Sequence, residues 1–125
     1  MDKRSHGERA KNGLQTRREV LGADYVDKAT ASVDEFNEEF TELLNTYCWN
    51  DIWNRAVLPR KMRSVLNLGM LVALGKEHEL KLHLRGALNN GLTKDEIKEV
   101  LLQTAIYCGV PAAVVAFRCA KEVFA

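Results

Sequence analysis

A glutamate and a histidine four residues apart, Glu79 and His83, sit in a stretch otherwise rich in leucine. On an α-helix, at about 100° per residue, His83 falls about 40° from Glu79, so the two are neighbours on one face. Gly86 and Asn90 extend this strip. Leu80, Leu84, Ala87 and Leu88 border it on one side and Leu82 on the other. A carboxylate and an imidazole at an apolar border are groups whose pKa values a partly dry site tunes for proton transfer. The same spacing describes a helix-surface Glu–His pair, or a core histidine satisfied by a glutamate, and spacing alone leaves all three readings open. A metal site is not expected. His78-Glu79-x-x-x-His83 is not H-E-x-x-H, and its two histidines point about 140° apart on a helix. His78 falls with Lys81 and Arg85 on the sector expected to face solvent.

A second group is cationic. Arg60-Lys61-x-Arg63 lies in the first turn of a helix that Pro59 is placed to open. Cations there oppose the helix dipole, yet together with the free N–H groups of that end they would suit an anion. Arg55, two residues after Trp53, adds a guanidinium fitted to bidentate carboxylate binding. Alternatively, these arginines pair with the acidic run over 34–42, within or across subunits. Glycine-rich phosphate loops, a nucleophile elbow and a paired aspartate motif are absent.

The elements that must position these groups are helical in period nearly throughout. A first helix is predicted over 8–21, closed by Gly22. A short one follows from Asp24 to about 31, and Ser32 or Asp34 opens a longer one. There Val33, Phe36, Phe40, Leu43, Leu44 and Tyr47 recur at three- and four-residue steps. Residues 47–55, with Trp49 and Trp53, read as a helix end, a turn and a connector. A helix from Pro59 to Leu74, closed by Gly75, is apolar nearly all round after Ser64 and is expected to be central and buried. Residues 77–90 form the next. Thr93-Lys94-Asp95-Glu96 is a capping box opening a helix to about Cys108, and Pro111 begins the last, 111–124. No strand pattern or repeat appears. The expectation is an all-α, single-domain bundle of six or seven helices over residues 1–125.

Composition excludes several classes. The net charge of +1 supplies no field for nucleic acid or membrane, although it is unevenly spread, with an acidic stretch over 24–51. The longest apolar run, Ser64–Gly75, is too short to span a bilayer and is interrupted by Asn67. The polar start resembles no signal peptide. Cys48, Cys108 and Cys119 are odd in number and form no C-x-x-C pair, which fits small core thiols in a reducing cytoplasm.

Read in order, the chain carries Arg17-Arg18-Glu19-Val20-Leu21-Gly22, Tyr25-Val26-Asp27, Trp49-x-x-x-Trp53-x-Arg55 and Arg63-Ser64-x-Leu66. Glu79-Leu80-x-x-His83, Asn90-Gly91-Leu92-Thr93-x-x-Glu96-Ile97-x-Glu99-Val100 and Tyr107-x-Gly109-x-Pro111-Ala112-Ala113 complete the series. Together these resemble the γ-carboxymuconolactone decarboxylase family, collinearly over almost the whole chain. That family belongs to an alkylhydroperoxidase-like superfamily, some members of which use C-x-x-C-x-x-x-His. Here Lys76 and Glu79 would stand at the cysteine positions while His83 remains, so thiol redox chemistry is not expected.

The resemblance implies a cofactor-free loss of CO2 from γ-carboxymuconolactone, giving the 4-oxoadipate enol-lactone in protocatechuate (β-ketoadipate pathway) degradation. It implies His83 as proton donor, with Glu79 orienting it or sharing the proton. Arg55, with Arg60 and Arg63, would bind carboxylate. Trp49 and Trp53 would wall the pocket, or serve as core or interface aromatics. It further implies a homo-oligomer built on trimers or hexamers. The alternatives are a family member acting on a different lactone or keto acid, and a non-catalytic helical oligomer. Two positions depart from the family pattern: Asn50 where a glycine is expected, and Ala56-Val57 where Pro-Gly is expected, both in the presumed substrate loop.

Overall fold

A computed structural model describes residues 2–125. Seven α-helices and one π-helical segment account for its regular structure, and no strand occurs among the described residues. The all-α expectation is borne out. No helix among the described residues is long and apolar enough to cross a membrane. The chain divides into two compact units, Met1–Arg60 and Lys61–Ala125.

In the first unit, α1 spans His6–Leu21 and α2 Ala23–Ala31. Ser5 caps α1, its Oγ accepting from the Glu8 N–H at 3.2 Å. Gly22, with φ of 96°, separates the two helices in a conformation that favours glycine. The third helix departs from expectation. Residues 34–37 form a turn in which Asp34 Oδ1 accepts from the Phe36 N–H and Asn37 Oδ1 from the Asp34 N–H, each at 2.9 Å. Such local side-chain bonds compete with the helix ladder, so α3 begins only at Glu38 and ends at Leu43. Phe36 is 95 % exposed, and Phe40 and Leu43 are exposed too, so this part of the apolar stripe is left largely uncovered.

The chain then continues as a π-helix, Leu44–Ile52, instead of ending in the turn expected from Tyr47 onward. Its wider turn directs Asn45, Thr46, Trp49, Asn50 and Asp51 inward. The Trp53 N–H closes it on the Cys48 carbonyl at 3.0 Å. α1 packs along this segment, and Gly13 permits the approach: a Cβ there would lie 1.7 Å from the Asn45 carbonyl oxygen.

In the second unit lie α4 (Arg60–Leu74, whose first residue falls in the first unit), α5 (Glu77–Asn89), α6 (Lys94–Tyr107) and α7 (Val110–Phe124). Their stops fall at Gly75, Gly91 and Gly109, all with positive φ. The Thr93–Glu96 capping box is complete, with side-chain bonds of 3.0 and 2.9 Å. Leu68, Val72, Leu80, Leu84, Ile97, Leu101 and Cys119 are central to the core. α4 buries one face only, through Ser64, Leu68 and Val72. Met62, Leu66, Met70 and Leu74 are exposed, which corrects the expectation of a helix buried all round. The remaining α-helices of this unit cover a single stripe.

Candidate active site

Burial of Leu80, Leu84 and Ala87 fixes the roll of α5 and sets its polar strip at the edge of the second unit's core. His83 is half-buried there, Glu79 is exposed, and His78 is exposed as expected. Asn67, on α4, places its Nδ2 3.5 Å from His83 Nδ1. One turn away, the Asn90 amide donates to Ser64 Oγ at 2.9 Å. The polar strips of α4 and α5 thus face one another, an arrangement visible in sequence only as the interruption of an apolar helix by Ser64 and Asn67.

Burial pushes the His83 pKa down from 6.5 to about 4, against the opposing pull of the Glu79 carboxylate. At neutral pH the imidazole is therefore uncharged, able to donate one hydrogen bond and accept another. An anion brought beside it would favour the imidazolium. Among the described residues no group of three or more His, Cys, Asp or Glu side chains is arranged to hold a metal ion.

In the first unit Trp49 and Trp53 are both buried and stack on each other, ring centroids 5.0 Å apart and planes inclined by 19°. Arg55 is exposed in the connector that follows. Arg60 bonds Glu19 at 3.2 Å and Asn54 at 3.1 Å, while Lys61 in the second unit pairs with Glu96 at 3.2 Å. Within the acidic run over 34–42, Glu42 meets His6 at 3.0 Å. Arg63 is half-buried in the second unit with Glu79 and His83. Of the two departures from the family pattern, Ala56-Val57 does lie in a connector. Asn50 does not. It is buried in the π segment, bonding Asn12 at 2.6 Å, Asp51 at 2.8 Å, Asp2 at 3.0 Å and Arg4 at 3.2 Å.

One residue that the sequence reading passed over is Arg17. It is 8 % exposed, on the α1 stripe that also buries Gly13, Thr16, Val20 and Leu21. The signal was present: helical spacing from Gly13 and Val20 puts an arginine in the middle of an otherwise buried face.

Residues 38–122 match the carboxymuconolactone decarboxylase family, across parts of both units. The chain is 43 % identical to the 4-carboxymuconolactone decarboxylase of Acinetobacter baylyi, over 94 % of this chain and 87 % of that protein. It is 41 % identical to nitrosuccinic acid decarboxylase npaB of Metarhizium robertsii, over 82 % of this chain and 71 % of that one. The chain belongs to the carboxymuconolactone decarboxylase family, a family of the alkylhydroperoxidase-like all-α class.

Proposed function

We propose that this chain decarboxylates γ-carboxymuconolactone to the 4-oxoadipate enol-lactone without a cofactor, as a homo-oligomer in cytoplasmic protocatechuate breakdown. The observation that carries the reading is the near full-length likeness to a 4-carboxymuconolactone decarboxylase. The half-buried, uncharged His83 beside Asn67 supports it. The family match reaching into both units supports residues 1–125 acting as one domain.

Breaking the bond from the ring carbon to its carboxylate leaves an electron pair conjugated through the ring to the lactone carbonyl. The substrate is its own electron sink, so no metal or organic cofactor is required. What remains for the protein is to hold a dianion, stabilise the developing oxyanion and return a proton to carbon. His83 is the donor. The negative charge of the bound substrate favours the imidazolium, which opposes the burial that holds His83 near 4 and favours uptake of the proton that decarboxylation consumes. Glu79 orients the ring or shares that proton. Arg55, with Arg60 and Arg63, binds carboxylate, and the Trp49–Trp53 stack offers a planar wall. The leaving carboxylate sits against apolar groups, since a cation there would stabilise the ground state.

A second reading is another carboxylic acid as substrate, which the likeness to a nitrosuccinic acid decarboxylase favours. Ultraviolet loss and CO2 release from γ-carboxymuconolactone, measured beside nitrosuccinate, tests both.

A further inference from the structure

Arg17 presents an unresolved charge. Arginine is a cationic side chain with five N–H donors and no acceptor, and this residue is more than nine-tenths buried. Among the described residues it makes no hydrogen bond or ion pair, and its Nε is sealed from solvent without a partner. Its neighbours are served differently. Arg18 meets Asp27 at 2.9 Å, Arg9 is held by Asp51, and Arg60 meets Glu19 at 3.2 Å. Cys48 on the π segment feels Arg17, but burial pushes that thiol up, so it supplies no counter-charge. A buried cation with no anion is strongly destabilising. The same π segment also buries Asn45 Oδ1 and Thr46 Oγ1 without partners. An unliganded cation, two unfilled polar oxygens and a stacked tryptophan pair therefore share one small unit.

We propose that Arg17 binds the carboxylate that the substrate keeps, the side-arm carboxylate of a dicarboxylate, and not the one that leaves. This rests on the decarboxylase reading. A guanidinium against the leaving group would hold the ground state back, whereas one on the retained carboxylate positions the substrate at no such cost. The planar fork suits bidentate recognition, which an ammonium cannot reproduce.

The test is equilibrium binding of succinate against succinamide, its uncharged diamide, followed by fluorescence of the two tryptophans. The wild-type protein prefers succinate by about 10–100-fold. Arg17→Met loses that preference, and Arg17→Lys keeps only part of it. With substrate, Arg17→Met raises KM by a similar factor and changes kcat little. A preference intact in Arg17→Met, or none in the wild type, overturns the proposal. So does an Arg17→Met oligomer that falls apart while its subunits still prefer succinate, because Arg17 then serves a subunit contact. Should Arg17→Met fail to fold, Arg17→Lys decides on the same readout, an undiminished preference counting against. A wild-type protein inactive on γ-carboxymuconolactone but with an Arg17-dependent preference defeats the substrate reading and leaves this one standing.

Discussion

The Asn67 amide nitrogen lies 3.5 Å from Nδ1 of His83, joining the second turn of α4 to the middle of α5. An amide donating to Nδ1 leaves the proton of a neutral imidazole on Nε2. With a folded pKa near 4 against 6.5 in the unfolded chain, the unfolded state binds more protons between those values. Stability contributed by the neutral ring is therefore complete above about pH 6.5 and is lost as pH falls towards 4. Proton NMR of His83 is expected to give a midpoint near 4, rising when succinate binds. Asn67→Asp is expected to raise the midpoint in the free protein, since a carboxylate favours the imidazolium. A midpoint at 6.5 or above in the wild type contradicts this.

His83→Ala and Glu79→Gln are each expected to lower turnover by about 10²-fold or more, the usual contribution of a positioned acid. Helical content and assembly should be unchanged, because His83 is only half-buried and Glu79 is exposed. Steady-state kinetics with circular dichroism checks this, and near-normal turnover in either variant removes that residue from the mechanism.

Gly13→Ala is expected to destabilise the first unit by about 1–3 kcal/mol or more, as overpacking against backbone does. The added methyl would meet the Asn45 carbonyl, and neither α1 nor the π segment has a flexible side chain there to yield. Gly7→Ala, where nothing lies within 4 Å, is the control and should melt as wild type does.

The exposed apolar residues of α4 border an open groove of about 600 Å³ lined also by Val100 and Gln103 of α6. Surplus apolar surface of this kind marks contact sites. The expected assembly is a homo-oligomer of at least three subunits. Light scattering coupled to size exclusion at micromolar concentration reads it, and Met70→Glu should shift the distribution towards smaller species. An active species at the 14.1 kDa chain mass contradicts this.

Much of the fold was legible in the sequence because its boundaries depend on local chemistry. Gly22, Gly75, Gly91 and Gly109 stop helices by their own backbone freedom, and Thr93 with Glu96 caps one without outside help. What failed depends on context. A π turn and an α turn draw on the same residues, so nothing in Leu44–Ile52 announced the wider ladder. The apolar pattern through Phe36 and Phe40 indicated a buried face but not that Asp34 and Asn37 would form a turn first. Glu79 and His83 were recognisable from spacing. Asn67 was seen only as a break in an apolar run, and Arg17 was hidden because an arginine is ordinarily read as surface.

The most direct measurement of the central claim is a stopped assay of γ-carboxymuconolactone with purified, chelator-dialysed protein, following ultraviolet loss and CO2 together. One CO2 released per lactone consumed, formation of the enol-lactone, full activity after chelation, and a large loss in His83→Ala are expected. Lactone left untouched by the folded wild-type protein, or turnover that returns only on adding a metal, would contradict it.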